Sequence, residues 1–383
     1  MTMCKFIHYI PDMKNRLTTS LLLILVAISS GYAQKINFSP YFVAAESFES
    51  VAAIDVNNDG LLDLVSGDFW YENNGLKLNN FRKRYSIGDQ KRHGEYYDDF
   101  STIPFDVNQD GFMDFITGGW FEATIRWHQN PGDKKDQTWI RHDVVNTGNI
   151  ECMRAYDLDG DGIIEVIPNN PNKPLKYFKI ESGEFKQFDV APSQGHGIGF
   201  GDINNDGNVD IIVTKGWLQN PGSAGNWILH EEFDLETASV PILVHDVNLD
   251  GKNDLIVGQG HAYGLHWYEQ LEGKKWKKHI IDNEASQYHT MELADLNNDG
   301  KQELITGKRY RAHNGKDPGG LEDLGLYYYK IENGTFIKNT ITYGAPGIGK
   351  GTGTTFAIAD LLGNGKKDLI FAGKDGLTIF YNE

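Results

Sequence analysis

An acidic ten-residue segment, first seen as DVNNDGLLDL, recurs seven times along the 383-residue chain. Its copies begin at Asp55, Asp106, Asp157, Asp202, Asp246, Asp295 and Asp360. Their spacing runs from 44 residues (202 to 246) to 65 residues (295 to 360), which is typical of a four-stranded propeller blade and not of a helical solenoid unit. The repeat therefore predicts an all-β fold, a seven-bladed β-propeller with four-stranded blades.

The sequence around each copy predicts the remaining strands of its unit. An apolar stretch precedes the acidic segment and a strand-like run follows it, as in residues 51–54 and 62–66, so the segment is the turn of a hairpin. Two further recurring elements, both containing tryptophan, supply the third and fourth strands. The last unit lacks one strand, and residues 36–44 form a strand without a unit, so the N-terminal strand should complete the last blade. We expect one domain over residues 34–383.

Residues 1–33 have the pattern of an export signal. Two basic residues precede an apolar run over residues 21–28, and small residues follow it just before Gln34. Met13 is an alternative start. A membrane anchor is the competing interpretation, but the run is short for a membrane span. Cleavage leaves Cys152 as the single cysteine, which excludes a disulfide framework, and a periplasmic or secreted protein with no membrane span is expected.

The charge balance limits the partners of the chain. It has 36 Lys and Arg against 53 Asp and Glu, a net charge of −17. Cleavage removes three basic residues and one acidic residue, so 33 basic and 52 acidic residues remain and the net charge becomes −19. Such a surface repels nucleic-acid phosphates and attracts divalent cations. We therefore expect no nucleic-acid partner.

Six of the seven acidic segments have the full side-chain pattern of a calcium loop. Oxygen-bearing side chains occupy positions one, three, five and nine, and glycine at position six permits a sharp turn. An EF-hand is excluded because position twelve carries no glutamate. The last copy has Leu362 and Asn364 at positions three and five, so we expect it to be empty. The alternative is that these side chains only form Asx turns. The predicted ligands of structural Ca²⁺ are Asp55, Asn57, Asp59, Asp63, Asp106, Asn108, Asp110, Asp114, Asp157, Asp159, Asp161, Glu165, Asp202, Asn204, Asp206, Asp210, Asp246, Asn248, Asp250, Asp254, Asp295, Asn297, Asp299 and Glu303.

These DxNxDGxxDL repeats resemble the FG-GAP/VCBS propeller family over residues 35–383. The resemblance implies a propeller fold. It leaves the function open, because the family includes integrin-like adhesion heads, scaffolds, sugar-binding modules and lyases.

A ring of candidate ligands precedes the first strands. The residue six positions before each acidic segment lies at the opposite end of the first strand of its unit. Four of these positions carry Glu49, Glu151, His196 and His289, and the last three are the predicted metal ligands. Carboxylate and imidazole ligands suit a transition metal such as Zn²⁺ or Mn²⁺. The alternative is a polar channel filled with water. His142, His230 and His279 instead share one position in the fourth strand, so we interpret them as structural.

Neighbouring turns add candidate substrate-binding and catalytic residues. Aromatic side chains stack on sugar rings, and the candidates are Trp120, Trp217, Tyr263 and Tyr310. The sixth unit carries an insertion over residues 308–320, and longer loops often carry function. The candidate catalytic residues are His261 and His313 for proton transfer and Lys308 and Arg309 for charge stabilisation.

The segments around His196, His261, His289 and His313 together resemble the propeller domain of aldos-2-ulose dehydratases. That resemblance implies metal-assisted loss of water from keto-sugars, with a metal near His196 and His289. The cupin domains of that family are absent from this sequence. The leading hypothesis is thus an exported, calcium-binding propeller that acts on carbohydrate, as a carbon–oxygen lyase if it is an enzyme. The alternative is a non-catalytic propeller that binds a glycan or a protein.

Overall fold

Buried strands follow the acidic segments, as their apolar composition predicts. Asp63–Ser66 and Asp210–Val213 are buried along their whole length, because each lies inside a sheet that is covered on both faces. The computed structural model describes residues 35–81, 83–88, 90–222 and 225–383. The predicted export signal lies outside the described residues.

The described chain is all-β apart from one short 3₁₀ helix at Ala312–Gly315. Its strands are β1 Phe38–Ala44, β2 Ala52–Ile54, β3 Asp63–Ser66, β4 Phe69–Glu72, β5 Lys83–Ser86, β6 Arg92–His93, β7 Tyr96–Tyr97, β8 Ile103–Phe105, β9 Asp114–Thr117, β10 Thr124–Gln129, β11 Ile140–Asn146, β12 Cys152–Tyr156, β13 Glu165–Asn169, β14 Leu175–Glu181, β15 Glu184–Ala191, β16 Ile198–Gly201, β17 Asp210–Val213, β18 Gly216–Gln219, β19 Ile228–His230, β20 Ile242–His245, β21 Asp254–Gly258, β22 Tyr263–Leu271, β23 Lys275–Ser286, β24 Tyr288–Ala294, β25 Glu303–Lys308, β26 Leu324–Glu332, β27 Thr335–Gly344, β28 Phe356–Ala359, β29 Asp368–Phe371 and β30 Leu377–Asn382. In this part of the chain no helix has the length and apolarity to cross a membrane.

The strands form antiparallel units of four in chain order. Separate four-stranded sheets contain β2–β5, β8–β11, β12–β15 and β24–β27. A larger sheet of eight strands contains β16–β19 and β20–β23, joined by parallel pairing of β16 with β20. The N-terminal strand β1 pairs with β30 and completes a sheet with β28 and β29. The short hairpin β6–β7, which the sequence did not predict, lies between the first two units.

The core lies between consecutive units. One cluster of buried side chains joins the sheet of β2–β5 to that of β8–β11, as Trp70 and Phe115 illustrate. Equivalent clusters join each later unit to the next, and the last packs Ile370 of β29 against Leu64 of β3. Because the last sheet packs against the first, the units follow one another around a ring. The chain has a β-propeller arrangement.

Candidate functional site

Four side chains from four different units converge where the first strand of each unit begins. Glu151 directly precedes β12, His196 lies two residues before β16, and His289 is in β24. His261 joins them from the turn between β21 and β22. One nitrogen or oxygen atom of each side chain lies within 4.8 Å of the others. We call these four residues the channel cluster. The structure thus brings together the three predicted metal ligands and adds His261, which the sequence analysis assigned to proton transfer.

Hydrogen bonds at Nδ1 fix the ring tautomers of His196 and His261. Nδ1 of His196 lies 2.9 Å from the carbonyl oxygen of Ala238, and Nδ1 of His261 lies 2.9 Å from Oδ2 of Asp317. Both acceptors require an N–H at Nδ1, so in the neutral rings Nε2 carries a lone pair. These two Nε2 atoms are only 2.9 Å apart. Two lone pairs that face each other call for a proton or a cation between them.

Burial and charge set the protonation of the cluster. Burial lowers the pKa of His289 to about 3, and the charge of Arg309 acts in the same direction. Burial also lowers the pKa of His261. Burial would raise the pKa of Glu151, but its contacts with His196 and His289 hold that pKa well below the usual value. Burial would lower the pKa of His196, but its contact with Glu151 raises that pKa above the usual value. The cluster therefore contains an ionised carboxylate, two imidazoles that favour the neutral form and one, His196, that favours the protonated form.

Arg309 belongs to the same network. Its Nη1 lies 3.2 Å from Oε1 of Glu151 and 2.9 Å from Nε2 of His289, and its Nε donates to Glu49 at 2.9 Å. The side chain is 3% exposed. Because Arg309 pairs with two buried carboxylates, its charge is largely neutralised within the protein. The predicted role of Arg309 in stabilising negative charge on a substrate stays a prediction.

The insertion of the sixth unit covers one side of the cluster. Asp317 accepts from Nδ1 of His261 through one oxygen and contacts Nδ1 of His313 at 3.0 Å through the other. The rings of His261 and His313 stack with 4.4 Å between centroids. Sequence reasoning did not single out Asp317. The signal that would have found it is its position in the insertion, four residues after His313.

A pocket of about 400 Å³ opens beside the cluster. Its walls include Tyr96, Phe100, Trp120, Phe121, Arg309 and His313, together with Glu151 of the cluster. Trp120 is 37% exposed, so its ring is accessible. An aromatic wall next to charged groups is a combination that binds sugars.

Other predicted site residues lie away from the channel cluster. Trp217 is buried in the core and stacks on His230. Nζ of Lys308 donates to the carbonyls of Gly319 and Glu322 in the insertion. The hydroxyl of Tyr263 donates to Glu322 at 2.5 Å, and the backbone N–H of Tyr310 donates to Thr352. The structure therefore gives Lys308 and Trp217 contacts within the protein, and neither lines the 400 Å³ pocket.

The histidines of the fourth strand have a repeated contact. His142, His230 and His279 stack on Trp127, Trp217 and Trp267 with 4.2 Å between ring centroids. Each also bonds a Gln or Glu side chain of the adjacent third strand. These histidines have the structural role that their repeat position predicts.

The acidic loops are closed by hydrogen bonds to their own backbone. In the first loop, the oxygens of Asp55 accept from the N–H groups of Asp59 and Gly60, and Asn57 also accepts from Asp59. In each of the other loops, the first aspartate likewise accepts from the N–H of the glycine at position six. These are the contacts of the Asx-turn alternative. They occupy part of the acceptor capacity of the carboxylates, and the calcium sites stay a prediction.

The position-nine carboxylates are buried beneath the loops. Oδ2 of Asp63 accepts from the N–H of Val56, and Oδ1 accepts from the N–H of Asn73. Burial raises the pKa of Asp63 and of Asp114 to about 7. In every other loop, too, the position-nine carboxylate accepts from the N–H of the residue at position two. These carboxylates therefore connect the loop to the end of the third strand.

The third loop already holds a cation from the protein. Nζ of Lys179 contacts Asp159, lies 2.8 Å from Asp161 and lies 3.6 Å from Glu165. These contacts raise the pKa of Lys179. This loop has three aspartates where most others have two and an asparagine. The ammonium thus balances the additional carboxylate.

Comparisons with known proteins agree with this architecture. BBS1N, solved in complex with ARL6DN, is 12% identical with a TM-score of 0.53, and the alignment covers 91% of this chain and 97% of that chain. An auxiliary nutrient binding protein from Bacteroides ovatus is 10% identical with a TM-score of 0.46, covering 91% of this chain and 78% of that chain. At such identities the first likeness shows the fold alone, and the second carries no argument. A search of the curated proteins finds no significant match.

The family model matches two segments that contain copies of the acidic repeat. Residues 106–168 and 246–306 each match the model of the FG-GAP-like repeat. Each matched segment starts at the first aspartate of one copy, and the other copies repeat the same pattern. The chain therefore contains FG-GAP-like repeats over these two segments.

Proposed function

We propose that this protein is a metal-dependent enzyme that acts on carbohydrate. The metal would be held by Glu151, His196, His261 and His289. The observation that carries the proposal is the approach of the Nε2 atoms of His196 and His261 to 2.9 Å while both Nδ1 atoms are engaged elsewhere. A bound metal cation would remove the repulsion between the two lone pairs, as would a proton on one of the two nitrogens.

The donor set fits a borderline divalent ion. Three imidazole nitrogens and one carboxylate oxygen suit zinc, manganese or a similar metal. When bound, the metal would supply Lewis acidity toward a carbonyl or hydroxyl oxygen of the substrate. Asp317 would fix the orientation of His261, as outer partners do for metal-bound histidines.

The residues around the cluster support an elimination as the reaction class. In that reaction a base removes a proton from a carbon next to a carbonyl, the C–O bond to the leaving group breaks, and the leaving oxygen takes up a proton. His313 is 58% exposed, lines the 400 Å³ pocket and is held by Asp317, so it is placed to move a proton. Trp120 and Phe121 would bind the sugar ring.

A non-catalytic binding propeller is the second candidate. Arg309 already contacts both Glu151 and His289, so part of the cluster is satisfied without a metal. In this case the aromatic pocket would bind a glycan and the cluster would only stabilise the channel.

Metal analysis of the purified protein tests the proposal. The double variant His196→Ala/His289→Ala should lose a transition metal that the wild type retains after mild chelation. The matched control is His142→Ala/His230→Ala, which removes two imidazoles outside the cluster. Equal transition-metal content in all three proteins, or its absence from all of them, would reject the metal centre and favour the binding propeller.

The finer architecture and the cellular location are part of the same proposal. The eight-stranded sheet would be two blades, so that seven blades form the ring, and the acidic loops would bind structural calcium. The protein would be exported to the periplasm or beyond, with cleavage after residue 33. The mass of the mature N-terminus from the cell envelope and the medium tests the last point.

A further inference from the structure

Two pockets adjoin along the seam between the third and fourth units, the sheets of β12–β15 and β16–β19. One has a volume of about 670 Å³ and the other a volume of about 470 Å³. Val190 of β15 and Trp227, which directly precedes β19, line both pockets. Because the two pockets share these walls, they form one continuous groove, which we call the seam groove.

The floor of the seam groove is apolar and aromatic. In the larger pocket, the buried side chains of Val213 and Leu218 form part of the wall. In the smaller pocket, the rings of Tyr177 and Phe188 stack with 5.0 Å between centroids and 8° between planes. Trp227 joins these two parts, since it lines both pockets. Such walls pack well against the apolar faces of sugar rings.

Trp227 differs from the tryptophans at the corresponding position of two other units. Trp139 is 4% exposed and belongs to the core between the first two units. Trp276 donates its indole N–H to Glu232 and packs against Phe233. Trp227 is partly exposed, and its indole N–H bonds no group in the described part of the chain. Its ring and its N–H are therefore both available to a ligand.

The rim of the seam groove carries free hydrogen-bonding groups. The side chains of Asn172, Ser193, Asn226 and Glu231 line the groove and are exposed. Among the residues that the structure describes, none of these four side chains has a hydrogen-bond partner. Two amides, a hydroxyl and a carboxylate can donate to and accept from the hydroxyl groups of a sugar.

The charges around the groove favour a neutral ligand. Lys215 and Glu231 are walls of the larger pocket, and Asp159 and Asp189 are walls of the smaller one. Asp159 is paired with Lys179, so acidic groups are still in excess along the groove. The whole chain has a net charge of −17, which repels polyanions. A glycan without charged groups avoids this repulsion.

We propose that the seam groove binds a neutral glycan chain, separately from the channel cluster. The aromatic floor packs against the apolar faces of consecutive sugar residues, and the rim bonds their hydroxyl groups. The groove extends from His196 at one end to Asp159 of the third acidic loop at the other. This site goes beyond the proposed enzyme, and it needs no metal.

Affinity gel electrophoresis in EDTA tests this binding without a metal. The probes are galactomannan and xyloglucan, two neutral polysaccharides, and polygalacturonate as the acidic comparison. We expect at least one neutral polysaccharide to slow the migration of the wild type, and polygalacturonate to have no effect. Trp227→Ala should weaken the binding about tenfold, as truncation of an aromatic anchor does. Glu231→Ala should weaken it about threefold through lost hydrogen bonds.

The matched control is Glu184→Ala, since Glu184 is an exposed glutamate of the third unit that does not line the groove. It should bind as the wild type does. Glu231→Ala keeps the test decisive if Trp227→Ala does not fold, because Glu231 is exposed and unpaired. No slowing by either neutral polysaccharide, equal slowing of the wild type and Glu231→Ala, or stronger slowing by polygalacturonate would overturn the proposal. The metal content is measured separately, so an absent metal centre with retained glycan binding would reject the proposed function alone.

Discussion

Replacing Asp114 by alanine tests whether the position-nine carboxylates stabilise the propeller through hydrogen bonds. Asp114 is fully buried, and its oxygens accept from the N–H groups of Val107 at 3.0 Å and Asn130 at 2.8 Å. Alanine leaves both N–H groups without an acceptor, and each buried unsatisfied donor costs about 1–3 kcal/mol. We therefore expect Asp114→Ala to lower the free energy of unfolding by about 2–6 kcal/mol.

The assay is urea unfolding in EDTA, followed by tryptophan fluorescence. Burial raises the pKa of Asp114 to about 7, so the ionised carboxylate opposes folding at higher pH. The assay is therefore run at a pH of about 5, where the folded protein keeps this carboxyl protonated. Asp110→Ala is the control, because Asp110 lies in the same loop, is exposed and accepts one loop N–H. Its loss should be about 0.5 kcal/mol or less. Equal losses in the two variants, or a loss below about 1 kcal/mol for Asp114→Ala, would refute the reasoning.

The third loop, the insertion and a buried lysine give three further tests. Lys179→Met removes the ammonium from its carboxylates, so calcium should raise the melting temperature of this variant more than that of the wild type; an equal rise would contradict this. Asp317→Asn should weaken metal binding about 10- to 100-fold in chelator competition and leave the melting temperature of the metal-free protein unchanged, whereas a purely structural role would lower that temperature. Burial lowers the pKa of Lys374 from 10.5 to about 8, so between these values the unfolded state binds more protons and stability should rise with pH. Urea unfolding of Lys374→Met should show a smaller rise, since burial also lowers the pKa of Lys350 and Lys308.

The sheet order was predictable because the acidic repeat determines both ends of its hairpin. Position six needs the positive φ that glycine adopts easily, as at Gly60 and Gly111. The contacts between units were not predictable from the same pattern. Nδ2 of Asn58, at position four, donates to the carbonyl of Gly111 in the next unit, and Nδ2 of Asn130 donates to Val56 in the preceding one. The motif says nothing about which neighbour these side chains reach.

The candidate site was predictable only where it follows the repeat. Glu151, His196 and His289 precede or begin first strands, so counting from the acidic segments located them. His261 and Asp317 lie in a turn and in an insertion, whose paths depend on local backbone angles. Three non-glycine residues of the insertion, Arg311, His313 and Asn314, have positive φ, a conformation that no repeat signals. The pairing of Asp317 with His261 therefore required the structure.

The two kinds of candidate cation site should act independently. The channel cluster and the acidic loops lie at opposite ends of the first strand of each unit, and in the fourth unit Asp202 lies six positions after His196. An extended chain of that length spans about 20 Å, at which two unit charges interact by about 1 kcal/mol or less at an effective dielectric constant of about 20. A change of charge at a loop should therefore affect the metal affinity of the cluster mainly through the packing of the ring. Calcium should accordingly change the stability of the protein more than the metal affinity of the cluster.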